Sequence, residues 1–131
     1  MLDLSDYSGA VVDVFIELIQ TDAGTRCAGI TAASLALADA GIPMKDIITS
    51  VSVGKVEDKL LIDLNYEEDS HPNGVDMPIA MSTRNGQITL LQMDGKLTKE
   101  ELKKLLEMAK KACNDIKEKQ VQALKQKFSG N

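Results

Sequence analysis

Two short segments of the chain carry residues suited to phosphate chemistry. Asp22-Ala-Gly-Thr-Arg26 opens a helix rich in small residues, and Glu67-Glu68-Asp69 is followed shortly by Val75-Asp76-Met77. Gly24 has no Cβ, so the backbone there can approach a ligand closely. Thr25 offers a hydroxyl, and Arg26 a planar fork matched to phosphate oxygens. Free N–H groups and the dipole at a helix N-terminus favour an anion. Asp22 stands beside them as a possible cap that would compete for those donors.

The second segment is acidic. Asp69 and Asp76 bracket a loop, with Glu67 and Glu68 adding charge. A magnesium ion takes one or two carboxylates together with water and substrate phosphate. Such an ion would polarise a phosphoryl oxygen. One aspartate could act as a general acid if crowding raises its pKa. Each segment also has a plainer reading, an ordinary helix start and a solvated acidic turn. A calcium loop starting at Asp63 fails, because Glu68 and Gly74 stand where Gly and Glu are needed. His71 is the only histidine, and it reads as a loop surface residue. No Ser or Cys stands in a recognisable nucleophile motif.

Several elements must position these residues. Residues 11–20 alternate, with Val12, Val14, Ile16 and Leu18 on one side, as in a half-buried strand. Residues 25–40 read as a helix with Ile30, Ala33, Leu37 and Ala40 in one stripe, stopped by Gly41 and Pro43. Its small residues let it lie very close to a neighbour. Strands are expected over 47–54, 60–64, 77–82 and 87–93, with Glu57-Asp58 turning between the first two. Residues 65–76 read as a polar loop. Arg84-Asn85-Gly86 is a hairpin signal between the last two strands. Residues 98–127 form one long helix, capped by Thr98 with Glu101. Leu102, Leu105, Leu106, Ala109, Ala112, Cys113, Ile116, Ala123 and Leu124 recur along it at helical spacing. The order is β-α-β-β-β-β-α, an α+β two-layer fold with helices on one face of a mostly antiparallel sheet.

Composition narrows the function classes. The 131 residues suffice for one domain, and 44% apolar content excludes a disordered chain. Aromatics are 3%, so single-stranded RNA would be held by charge and backbone more than by stacking. The net charge of −5 is uneven: residues 1–95 hold 15 acids and 5 bases, residues 96–131 hold 5 acids and 10 bases. The basic helix reads first as a solvated face. Cys27 and Cys113 lie far apart with no CxxC, as in reduced thiols of a cytoplasmic protein. No apolar run is long enough for a membrane span, and no signal-peptide pattern is present.

Beyond these readings, Asp13-Val-Phe-Ile-Glu17, Asp22-Ala-Gly-Thr-Arg26, Ala28-Gly-Ile-Thr-Ala-Ala-Ser34, Val53-Gly-Lys55, Asp63-Leu-Asn65, Glu68-Asp69, Asp76-Met-Pro78 and Leu90-Leu-Gln-Met-Asp-Gly95 resemble the RNase PH family. The likeness is strongest to its archaeal exosome branch. It covers about residues 9–128 and the C-terminal half of the family chain. The resemblance implies a phosphorolytic 3′-to-5′ exoribonuclease that releases nucleoside diphosphates. It places phosphate on Gly24, Thr25 and Arg26, and the catalytic acidic pair, linked to Mg2+ or Mn2+, on Asp69 and Asp76. Inorganic phosphate is the implied co-substrate. The implied partners are RNA, a related inactive subunit alternating in a hexameric ring, and RNA-binding cap proteins, with no membrane. The alternative is a non-catalytic ring or scaffold piece lacking the N-terminal half.

Overall fold

A computed structural model describes residues 2, 3, 5 and 7–129. In chain order the elements are α1 (Thr25–Asp39), β1 (Ile48–Val56), β2 (Lys59–Ile62), α2 (Tyr66–Asp69), β3 (Val75–Ser82), β4 (Gln87–Leu91) and α3 (Lys99–Ser129). The strands form one antiparallel sheet in the order β2-β1-β3-β4. The α+β class is therefore as the sequence predicts. No helix among the described residues is long and apolar enough to cross a membrane.

The alternation of β1 and β3 sorts their side chains onto two faces. Val51 and Val53 of β1, with Met77, Ile79 and Met81 of β3, pack against Leu105, Ala109 and Cys113 of α3. Those helical positions are spaced by four, so they fall on one stripe. Leu105 is fully buried, which contributes about 1.5–3 kcal/mol. The Thr98–Glu101 capping box forms, with both backbone N–H groups bonded to the opposite side chain, at 2.7 and 3.2 Å. Gly86 adopts a φ of 68° in the hairpin turn joining β3 and β4.

The opposite side chains of β1 and β3 sit where space is tight. Gly54 pairs across the strands with Asp76. A Cβ on Gly54 would fall 2.0 Å from the Val75 carbonyl oxygen and 2.9 Å from Leu64 Cδ2. Glycine is required there by close approach of two backbones.

Helix α1 meets β1 through polar atoms. β2 pairs only with Val53 through Val56 of β1, and the Asp63 N–H reaches the Ser52 carbonyl, which leaves the stretch from Ile48 to Val51 without a strand on that side. The Ser34 hydroxyl accepts the Ile48 N–H at 2.8 Å, and the Thr31 hydroxyl accepts the Ser50 N–H at 3.1 Å and donates to the Ser50 carbonyl at 3.3 Å. Gln120 of α3 completes the seam, donating to the Thr31 carbonyl at 3.0 Å and the Ile48 carbonyl at 3.5 Å. The face of α1 that packs is thus Cys27, Thr31 and Ser34. The apolar stripe expected at Ile30, Ala33 and Leu37 is only half-buried, and Ala40 is exposed. A strand edge needs donors and acceptors more than hydrocarbon.

The leading strand expected over residues 11–20 does not form. Residues 11–18 pair with no strand among the described residues, and Phe15 is 89% exposed. Part of this segment lies against α1, where a Cβ on Gly29 would meet Ile16 Cγ2 at 3.2 Å. The β1 edge that such a strand could have joined is occupied by α1. The element order is therefore α-β-β-α-β-β-α, with a short helix, α2, in the expected acidic loop.

Three outcomes follow from this packing. Gly54→Ala is expected to lose about 1–3 kcal/mol in chemical denaturation through overpacking. Ser34→Ala orphans a buried N–H and is expected to lose about 1–3 kcal/mol by the same measurement. Lys55 and the Thr98 cap hold the Glu101 carboxyl down from its ordinary 4.5 to about 2. A depressed carboxyl stabilises the fold above its unfolded pKa and loses that contribution as pH falls. The melting temperature is therefore expected to drop between pH 4.5 and about 2, and Glu101→Gln to flatten that part of the profile.

Candidate active site

The chain enters α1 through two left-handed residues, Ala23 at φ 58° and Gly24 at φ 60°. Gly24 is the N-cap, and no side chain caps the helix. The Ala28 N–H closes the first turn on the Gly24 carbonyl at 3.1 Å. The N–H groups of Thr25, Arg26 and Cys27 precede that bond and have no intrahelical acceptor. Asp22 does not compete for them as the sequence suggests. Its carboxylate accepts the Tyr66 N–H at 2.9 Å, pinning the turn to the start of α2.

Helix α2 itself is held by a capping box. Asn65 Oδ1 accepts the Glu68 N–H at 2.9 Å, and Glu68 Oε2 accepts the Asn65 N–H at 3.0 Å. The Asn-x-x-Glu spacing was the available sequence signal for this helix. Glu67 and Glu68 thus serve the first turn of α2, and Asp69 is its last residue. Asp76 stands in β3, on the face away from α3.

Asp69 and Asp76 share a cleft of about 180 Å³ with the α1 turn, lined also by Ala23, Gly24, Thr25, Arg26, Cys27, Ser52 and Pro78. A second cleft of about 240 Å³, lined by Arg26, Asp76, Pro78, Gln92, Met93 and Asp94, shares its central residues with the first. Gly24, Thr25, Arg26, Asp69 and Asp76, expected from the sequence to hold phosphate and a cation, thus line one region, while Glu67 and Glu68 do not. His71 stays out of it, its Nδ1 accepting the Asn73 N–H at 3.3 Å.

The electrostatics are uneven. Burial pushes the Asp69 carboxyl up, and the negative charges of Asp76 and Asp94 add to the rise. Arg26 lines both clefts, yet its Nη1 donates to Gln92 Oε1, a neutral acceptor. Asp76 Oδ1 accepts from the Ser52 hydroxyl, a neutral donor. The cation and the anion of the site are therefore each oriented without being neutralised. Burial raises the Cys27 thiol, so it lines the cleft as a protonated wall rather than as a nucleophile. Cys113 is raised to about 11, chiefly by burial, and both thiols are free.

No cluster of three or more His, Cys, Asp or Glu side chains suited to a metal occurs among the described residues. The donor set is the Asp69–Asp76 pair. It fits a hard cation that completes its shell with water and phosphate, and not a closed zinc cage. Ser52, Gln92 and Asp94 escaped the sequence reading. Alternation puts Ser52 on the Asp76 side of the sheet, but only pairing of β1 with β3 reveals which carboxylate it meets.

Comparisons with known proteins agree with this architecture. The chain matches the family model described as 3′ exoribonuclease family, domain 2, over residues 46–112, and the corresponding domain 1 model over residues 1–43. It is 49% identical over 125 residues to exosome complex component Rrp41 of Methanopyrus kandleri, covering 95% of this chain and 52% of that protein. It is 51% identical over 127 residues to exosome complex component Rrp41 of Pyrococcus furiosus, covering 97% of this chain and 50% of that protein. The chain thus spans about half the length of these relatives. Rice Rrp46 shares the fold at a TM-score of 0.74 and 20% identity, over 82% of this chain and 51% of that structure. On the breadth of these matches, the chain belongs to the RNase PH-like 3′ exoribonuclease family.

Proposed function

We propose that this chain carries the phosphate-binding and acidic part of a phosphorolytic 3′-to-5′ exoribonuclease site within an exosome-type ring. The observation that carries the reading is one cleft joining an uncapped helix N-terminus and Arg26 to the Asp69–Asp76 pair. Family membership and the exosome relatives support it. The ring partner would be a related inactive subunit and the cap proteins would bring RNA. The working compartment would be the cytoplasm.

In this reading, inorganic phosphate rests on the N–H groups at the start of α1, with Thr25 and Arg26 on its oxygens. One phosphate oxygen attacks the phosphorus of the terminal nucleotide. A new P–O bond forms, and the bond from phosphorus to the 3′ oxygen of the preceding nucleotide breaks. The products are a nucleoside diphosphate and an RNA shortened by one. The departing 3′ oxygen takes a proton from the acidic pair, where burial and mutual repulsion raise the Asp69 carboxyl. Asp69 and Asp76 would hold a Mg2+ or Mn2+ ion, which when bound neutralises charge on the phosphoryl oxygens. Gln92 keeps the Arg26 fork in the cleft and unpaired with either aspartate.

A second reading, a ring or scaffold piece without turnover, draws on the exposed apolar segment, where Phe15 and Val11 are largely in solvent. One experiment separates the two. Nucleoside diphosphate release from poly(A) is measured with phosphate and Mg2+, for the chain alone and mixed with the complementary half of an archaeal Rrp41. Release on mixing, lowered about 10²–10⁴-fold by Asp76→Asn, is the expected result. Release that survives Asp76→Asn rejects the assignment. A stable ring without turnover selects the scaffold, and nucleoside monophosphate as product rejects phosphorolysis.

A further inference from the structure

We propose that Ser52 is the positioning residue for Asp76: its hydroxyl fixes one carboxylate oxygen and so presents the other to a divalent cation in the cleft. This rests on the reading of Asp76 as a cation-holding carboxylate. Ser52 lies in β1 and is 2% exposed, so its hydroxyl must be satisfied inside the protein. Its Cα partner across the sheet is Pro78, and Asp76 is the diagonal neighbour on the same face. The hydroxyl donates to Asp76 Oδ1, and among the described residues Asp76 Oδ2 takes no hydrogen bond.

The surroundings hold Ser52 rigid. The Asp63 N–H donates to the Ser52 carbonyl at 2.8 Å, extending the β1–β2 pairing by one residue. Directly opposite Asp76 stands Gly54, where even a Cβ would collide with the β3 backbone. No side chain can therefore reach Asp76 from that position, and the support has to come from the diagonal. The chemical type of the donor also matters. A lysine or arginine there would orient the carboxylate but cancel its charge. A hydroxyl orients it and leaves the full negative charge for a cation. The nearby cation, Arg26, is diverted to Gln92, so it does not take over this role.

The test compares the wild-type chain with Ser52→Ala, Ser52→Cys and Ser52→Thr, each checked for folding by thermal melting. Two readouts follow: the χ1 rotamer of Asp76 from NMR couplings, and Mn2+ affinity from titration followed by electron paramagnetic resonance. Ser52→Ala is expected to average the Asp76 rotamer and weaken Mn2+ binding about 10-fold. Ser52→Thr, which keeps the hydroxyl, is expected to restore both. Phosphate-induced amide shifts at residues 24–27 are expected to stay as in wild type, since that turn does not touch the hydroxyl. If Ser52→Ala does not fold, Ser52→Cys, with a thiol too weak to replace the donor, carries the same comparison. A folded Ser52→Ala or Ser52→Cys variant with a single Asp76 rotamer, or with wild-type Mn2+ affinity, overturns the proposal. A wild-type chain that binds no Mn2+ rejects the cation reading of Asp76 itself. The rotamer comparison then decides separately whether Ser52 orients that carboxylate.

Discussion

The free side of β1 is the constraint on which the rest of this structure depends. Four residues of a buried strand, Ile48 to Val51, have no strand beside them on that side, and buried backbone groups left unpaired are costly. Helix α1 resolves this with Thr31 and Ser34, two short hydroxyl side chains one turn apart. Short side chains bring the helix axis close, which is why the helix is built from Ala, Gly, Ser and Thr. Once those bonds form, the register of α1 on β1 is set. Its first residues must then emerge beside the start of β3, where Asp76 stands.

The cleft follows from that placement. Its positive features are the α1 N-terminus and Arg26, and its negative features are Asp69, Asp76 and Asp94. Two of them are held by neutral partners, Arg26 by Gln92 and Asp76 by Ser52. Asp22, which could have quenched the helix N-terminus, is drawn off to the Tyr66 N–H of α2. Separated but uncompensated charges are a pre-organised arrangement for a ligand that carries both a phosphate and a bound cation.

Residues 11–19 show the opposite situation. Val11, Phe15 and Ile19 are strongly exposed, although the segment alternates as regularly as any strand in the protein. Alternation reports that a segment suits a half-buried ladder. It does not supply the neighbouring strand. With α1 already on the β1 edge, this segment pairs with no strand among the described residues. The relatives that this chain matches are about twice as long as it is.

The sequence by itself determined the local features whose physics is short-range. The Thr98–Glu101 box, the Asn85-Gly86 hairpin, the stripe of α3 and the glycine turn ahead of α1 are all decided within a few residues, and all were legible. The α2 helix is equally local, through Asn65 and Glu68, in a segment whose acids alone read as a loop. Only the tertiary structure decided which polar groups meet. The face of α1 that packs, the partner of Asp22, the Ser52–Asp76 bond and the Arg26–Gln92 bond each join residues 14 to 66 positions apart in sequence. Side-chain type limits what such a residue can bond to. Which group it does bond to is fixed by strand register and by the need to satisfy a buried edge, and no local spacing encodes either.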